Sequence, residues 1–329
     1  MGIKLDPEEK IPGKEQNLNA SKSKLYNSNM KRFLRCRLFV GLITAILGTM
    51  VLFGLWAWAF AWRRLPYYVD VRTVPLPVPI MTGDAYSKVI NTHPRPYIVE
   101  IEGMPRGAVL LYGATHTKDP QDSQIRDVRN RWARFRPTIA LCESRLGVLF
   151  PGLMDPVKTF SEPGAVHALA RKDGIPTYTW EPPSEVQVAA LLTNFSREQV
   201  ALRFILAPYF SNLRFGKPDN PEAFVEEIRG KRSRWSGIEN VFASVNEIQA
   251  AWIRHFPNGP DWKDVSDEFG LPGFLAKMDT NRVRDEHFAR VIVALAQKGE
   301  RIFAVAGLSH AVKLDAALRA ALETEVASN

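Results

Sequence analysis

The chain has 329 residues, 46% hydrophobic and 24% charged, which excludes wholesale disorder and allows one large domain or two ordinary ones. Its net charge of +8 is concentrated at one end: residues 1–37 hold nine Lys and Arg against four Asp and Glu, and the remainder is close to balance. That remainder has no basic stripe or aromatic nucleic-acid motif, which argues against a nucleic-acid partner, and two cysteines, Cys36 and Cys142, exclude a framework of disulfides.

Residues 1–37 are rich in Asn, Lys and Ser and read as a disordered basic tail. Leu38 to Trp62 then contains no charged residue. About 20 such residues cross a bilayer, so residues 38–62 read as a transmembrane helix with some tilt. Trp56, Trp58 and Trp62 gather at its far end as an interfacial belt does. Lys31, Arg32, Arg35 and Arg37 outnumber Arg63 and Arg64, which predicts a single-pass protein with a cytoplasmic N-terminus and an extracytoplasmic or periplasmic C-terminal domain. The alternative is a cleaved signal peptide, because Ala59-Phe60-Ala61 mimics a cleavage site; the leader and the apolar run are both long for one. Residues 63–84 hold Pro66, Pro75, Pro77 and Pro79 and read as an extended linker.

The folded domain is expected over 85–329. Tyr97 to Glu102 alternates like a strand, and Gly103 to Gly107 is turn material leading into Ala108-Val-Leu-Leu-Tyr-Gly-Ala-Thr-His116, a buried-type strand that breaks at Gly113. Pro120 to Phe135 places Ile125, Val128, Trp132 and Phe135 at helical spacing. Thr138 to Cys142 is the next strand, with Cys142 a core thiol, and it ends on Glu143-Ser144-Arg145. Strand, helix and strand at this spacing form a parallel, right-handed βαβ unit. Ala165 to Lys172 reads as a short helix and Gly174 to Trp180 as a strand ending on Glu181. Residues 184–275 read as an all-helical insertion capping the sheet, with helices near 184–208, 221–229 and 237–255. The basic run Arg229 to Arg234 reads as a solvated face. Asp279 to Gln297 sends Val283, Phe288, Val291, Ile292 and Leu295 toward a core. Arg301 to Ala306 is the last strand, and a terminal helix runs from His310 to Leu322. The expected class is therefore α/β: a mixed, mostly parallel sheet flanked by helices, with a helical insertion over its carboxyl edge, preceded by one transmembrane helix.

Four strands thus end on His116, Glu143, Glu181 and His310, and in a parallel sheet such groups line one ligand crevice. Gly113 and Gly307 each stand three residues before a histidine, where the missing Cβ lets the backbone bend or approach a ligand. Two imidazoles and a carboxylate can hold a divalent metal and leave a place for water. Without a metal, the same groups can act as general base and acid. One Gly-x-x-His is more often structural than functional; two of them after buried-type strands, with Glu143 after a third, point to a site. Glu181 is ambiguous, because Glu-Pro-Pro also opens helices. His93, His167, His255 and His287 lack this context and are assigned surface or capping roles.

Gly-Ala-Thr-His116, Pro137-Thr-Ile-Ala-Leu-Cys-Glu143-Ser-Arg145, Asn281-Arg-Val-Arg284-Asp285 and Gly-Leu-Ser-His310 together resemble the TraB/Tiki family of membrane-associated, metal-dependent peptidase-like proteins, within a superfamily that includes the erythromycin esterases and the ChaN-like proteins. The likeness covers most of 107–145 and 279–320. It implies His116, Glu143 and His310 as site residues, with Arg284 and Arg145 in support. Taken with the strand-end reading, His116, Glu143 and His310 are the expected metal ligands, Arg284 a catalytic group stabilising negative charge, and Arg145, Glu181, Asp285, Gly113 and Gly307 supporting residues. The family's strand ends Glu-Leu-Asp or similar where this chain has Glu-Ser-Arg. The implied function is a membrane-anchored hydrolase using Mn, Co or Zn on a peptide or a small ester or amide. Its alternatives are a metal-independent esterase-like hydrolase and a non-catalytic protein that binds a peptide or haem-like ligand.

Overall fold

The computed structural model describes residues 30, 37–56, 59–68, 74–102, 107–213, 216–265 and 271–323. The expected tail, Cys36 and Trp58 lie outside them, as does the turn at 103–106. The chain divides into two compact units, Met1–Ala61 and Trp62–Asn329. In the first, helix α1 (Arg37–Trp56) has 20 residues, a mean hydropathy of 2.4 and no buried face. At 1.5 Å per residue it is about 30 Å long, the thickness of a bilayer's hydrocarbon core.

The second unit is mostly helical, with α2 (Gly83–Val89) its first helix, around a small mixed sheet. Strands β1 (Tyr97–Ile101), β2 (Ala108–Ala114), β3 (Ile139–Cys142), β4 (Thr177–Thr179) and β5 (Arg301–Gly307) lie in the order β1-β2-β5-β3-β4. β1 is antiparallel to β2, as a hairpin requires, and the other pairings are parallel. The last strand in the chain is thus central, between β2 and β3.

Apolar side chains fill both faces of these strands, the pattern of a sheet covered on both sides. Val109, Leu111, Ile139, Leu141, Ile302 and Ala304 pack against helices α10 (Thr280–Gln297) and α11 (Leu308–Glu323). Leu110, Tyr112, Ala140, Cys142, Phe303 and Val305 pack against α3 (Ser123–Phe135) and α4 (Pro156–Asp173). Each strand alternates between the two sets because successive side chains point to opposite faces. α3 buries Ile125, Val128, Trp132 and Phe135, the four positions that its spacing predicts, and it stops at Arg136 in the left-handed region before Pro137. Cys142 is fully buried with its Sγ toward the Pro163 carbonyl, and burial pushes its thiol pKa up, as for a core residue.

Helices α5 (Ser184–Leu192), α6 (Arg197–Asn212), α7 (Pro221–Arg232), α8 (Val245–His255) and α9 (Gly273–Lys277) form a further layer with its own core around Phe210, Trp252 and Trp262. One helix over 184–208 was expected; two form, because Ser196 and Gln199 make a capping box that starts α6 afresh. Likewise α8 begins at Val245, where the Ser244 side chain caps it, and not near 237. Half of the basic run is paired, Arg229 with Glu226 and Lys231 with Glu227, while Arg232 donates to the Phe204 carbonyl.

Three further boundaries differ from expectation. α4 starts at Pro156, not Ala165, and is kinked at Phe160 and Ser161. α11 starts at Leu308, so His310 sits in a helical first turn and not at a strand end. The Pro-rich segment belongs in part to the domain: Thr179 N–H donates to the Pro66 carbonyl, Tyr67 bridges Thr179 in parallel, and Leu65 is buried. A sheet edge at β4 is a row of unpaired backbone groups, and this segment covers it.

Trp62 also departs from its expected place in a membrane belt. It is 4% exposed, its ring meets His167 edge-on at 4.5 Å and stacks on Phe160 at 6.4 Å, and it joins the α3/α4 core. Burial, then the nearby Arg171, lowers the His167 pKa to about 4, which keeps that imidazole neutral beside the indole at pH 7. We expect Trp62→Ala to destabilise the domain by about 3–5 kcal/mol in chemical denaturation, the cost of emptying a core aromatic site. A change below about 0.5 kcal/mol, the surface norm, would return Trp62 to the membrane belt.

Candidate functional site

The site is built where β2, β3 and β5 end. Pairing places Ala114 beside Gly307, so the chain leaving β2 and the chain leaving β5 emerge side by side. A Cβ on Gly307 would stand 2.9 Å from His116 Nε2 and 3.6 Å from His310 Cδ2. The two imidazoles therefore flank one glycine, and no larger residue fits between them without displacing His116. Gly113 has a different task. A Cβ there would meet the Ala311 Cβ at 2.6 Å and the Tyr97 carbonyl at 2.9 Å, so its absence lets α11 lie against β2.

Each imidazole is held from behind by a carboxylate with no exposed surface. His310 Nδ1 pairs with Asp285 Oδ1, and Lys313 Nζ reaches Asp285 Oδ2 at 3.4 Å. His116 Nδ1 lies 3.3 Å from Glu162 Oε2. Glu162 also accepts from the Thr117 N–H at 2.7 Å and from Gln124 Nε2 at 2.6 Å, and Gln124 Oε1 in turn accepts from the Thr115 N–H. A carboxylate on Nδ1 sets the tautomer and ring orientation, whether Nε2 then serves a metal or a proton.

Glu143 closes the group. Its Oε2 accepts from the Gly307 N–H at 2.7 Å; its Oε1 is 3.3 Å from Arg284 Nη2 and 3.9 Å from His310 Nε2. Burial alone would raise its pKa. The positive charges of His310 and Arg284, the Gly307 N–H and His116 outweigh burial, and the net direction is downward. Arg284 is held by Glu181 through Nε at 2.7 Å and Nη2 at 2.5 Å, and by Asn281 through Nη1 at 2.9 Å. Its guanidinium lies over the Trp180 ring, and Trp180 stacks on Phe288 at 4.3 Å and meets His310 edge-on at 5.2 Å.

A cleft of about 520 Å³ opens here, lined by His116, Glu143, Arg64, Arg145, Leu146 and Phe160 among others. His310 is not among its lining residues and is 6% exposed. Six non-glycine residues among those described have positive φ, and four of them line this cleft: His116 at 58°, Ser144 at 65°, Leu146 at 32° and Ser161 at 56°. Backbone strain of this kind concentrates at functional sites.

The structure thus brings together His116, Glu143, His310, Arg284, Glu181, Asp285 and Gly307. Arg145 lines the cleft, but its head group is engaged away from the imidazoles: its Nε donates to the Leu65 carbonyl and its guanidinium covers the Tyr67 ring at 4.4 Å, so it fastens the segment from Leu65 to Tyr67. Sequence reasoning missed Glu162, Gln124 and Lys313. Glu162 left no clear trace, because it follows Lys158, Thr159 and Ser161 in a mixed stretch before Pro163-Gly164. A Cβ on Gly164 would lie 2.0 Å from the Pro156 carbonyl, so the close turn that aims Glu162 inward needs glycine there.

Among the described residues, no group of three or more His, Cys, Asp and Glu side chains is drawn together closely enough to hold a metal ion. The donor types suit one nonetheless: two imidazoles with carboxylate-fixed orientation and a third carboxylate 3.9 Å from His310 Nε2. No protein-family profile, curated protein or solved structure matches this chain.

The lowered Glu143 pKa makes a pH prediction. A depressed carboxylate pKa contributes stability that is complete above the unfolded value and is lost as pH falls through the folded value. Glu143→Gln should therefore be less stable than the parent at pH 7, and the gap should close as pH drops below 4.5. A gap constant from pH 7 to pH 3 in denaturant titrations would show that the charge is not what stabilises.

Proposed function

We propose that this protein is a single-pass, membrane-anchored hydrolase of the TraB/Tiki type, acting on a peptide or a small ester or amide. The observation that carries the proposal is the pairing of two imidazoles with buried carboxylates on either side of Gly307, beside a carboxylate held in its charged form. Hydrolysis needs a base for water and a counter-charge for the cation that the base becomes. Asp285 fixes His310 so that Nε2 faces Glu143, and the Glu143 carboxylate stabilises the imidazolium formed when Nε2 takes a proton. His116, whose side chain is 54% exposed, presents its ring to the cleft where substrate sits.

In this reading Arg284 is a positioning residue. Its donors go to Glu181, Asn281 and Glu143, and its charge helps to lower the pKa of the Glu143 carboxylate. The helices over 184–275 cap the carboxyl edge, a placement that the packing of α5 on α10 supports. The basic residues before α1 support a cytoplasmic N-terminus and an exported domain.

A divalent Mn, Co or Zn ion would be held by His116, Glu143 and His310 and would supply Lewis acidity and a more acidic bound water. A metal-independent reading is favoured by one observation: Glu143 already accepts from the Gly307 N–H and neighbours Arg284, an arrangement complete without an ion.

With the full chain in detergent and a panel of peptide and ester substrates, His310→Ala and Glu143→Gln should each lower kcat/KM by about 10²–10⁴-fold. Gly307→Ala should unfold cooperatively yet lose activity, because its methyl displaces the His116 ring. Hydrolysis that survives both His310→Ala and Glu143→Gln would sink the mechanism. Elemental analysis of the same chain with and without His116→Ala decides between the metal-dependent and metal-independent readings.

A further inference from the structure

The loop between β3 and α4 has a composition at odds with its position. Leu146-Gly-Val-Leu-Phe-Pro-Gly-Leu-Met154 runs nine residues without one polar side chain, yet it is neither strand nor helix. Leu146 and Leu149 anchor it in the core, while Val148 is 59% exposed, Leu153 69% and Met154 38%. Loop backbones face water and normally carry polar side chains. Single exposed leucines are ordinary, but three apolar side chains in one short loop at the lip of a cleft are not.

The loop is also tied to the part of the chain nearest the apolar helix. Trp62 N–H donates to the Leu149 carbonyl at 2.8 Å, and Leu65 N–H donates to the Arg145 carbonyl at 2.8 Å. Trp62 follows the last residue of α1, Trp56, by six positions, which span about 20 Å at full extension. Arg63 and Arg64 are exposed, and Arg64 lies beside Leu146 and Gly147 of the loop. The backbone turn holding Leu153 and Met154 is fixed, since both N–H groups donate to the Phe150 carbonyl. An apolar tip that is preformed, rimmed by arginine and tethered this close to a membrane-spanning segment matches the surface of a bilayer.

We propose that Val148, Leu153 and Met154 enter the interface of the bilayer that α1 crosses, with Arg63 and Arg64 at the headgroups, so that the loop is a second membrane contact. Arg64 belongs both to this surface and to the lining of the cleft, so the proposed contact would turn that side of the cleft toward the bilayer. The inference rests on the membrane-anchor reading of α1 and is independent of the chemistry proposed at the site.

The test uses the full chain with Cys36→Ser in lipid nanodiscs; Cys142 is buried and does not label. An environment-sensitive fluorophore is placed in turn at Leu153→Cys, at Ile253→Cys on α8, and at Met50→Cys within α1. Lipids spin-labelled at a shallow acyl position quench by contact. The label at 153 should emit to the blue of the label at 253 and be quenched at least twofold more. Equal quenching at 153 and 253, with 50 quenched, overturns the loop contact and leaves the anchor standing. A label at 50 that escapes lipid quenchers overturns the anchor and the loop contact with it. A label at 153 shielded from aqueous iodide but untouched by spin-labelled lipid places a second copy or another protein on the loop, which also overturns the proposal.

Discussion

The parallel pairing of β2 with β5 is the constraint on which the site depends. It joins two segments from opposite ends of the domain, in a register that sets Ala114 against Gly307. The two histidines follow from that register, one in a left-handed residue just past β2 and one in the first turn of α11. The Gly307 N–H that continues the line of β5 is also the donor to Glu143 at the end of β3. One residue thus spaces the rings and orients the carboxylate between three strands.

Around that centre the polar groups are arranged in depth. Glu162 and Asp285 have no exposed surface, and each has at least two partners, as buried carboxylates must to offset lost hydration. Arg284 and Glu143 are partly buried, and removing one member of such a set leaves the other's charge uncompensated, which costs about 3–5 kcal/mol in comparable pairs. The cleft also gathers most of the positive φ values among the described non-glycine residues. Such arrangements reduce stability unless they are held from several sides, and here the kinked α4, the β3 exit and the Trp62–Leu65 segment hold them.

The segment Trp62–Leu65 links the two proposals. It bonds to the strand-exit loop that forms one wall of the cleft, so the wall and the beginning of the domain form a single hydrogen-bonded piece. Whatever positions that beginning also positions the wall. This gives the Arg145 side chain a meaning unrelated to catalysis: through Leu65 and Tyr67 it locks the same segment in place.

Much of this was legible from local pattern alone. Uninterrupted apolar runs gave α1 and the strands, helical spacing gave the buried face of α3, and Gly-x-x-His after two such strands pointed to His116 and His310. These are short-range properties, set by which neighbours along the chain are apolar or lack a Cβ. Strand order was not legible, because nothing local says that the last strand inserts between the first parallel pair. Nor was Glu162, whose value lies in meeting His116 and Gln124 from a different helix. Trp62 was misassigned for the same reason: an indole in an apolar run suits a bilayer interface and a protein core equally well. The choice between them rests on Phe160 and His167, about a hundred residues further along the chain and brought there by the packing of α4 on the sheet.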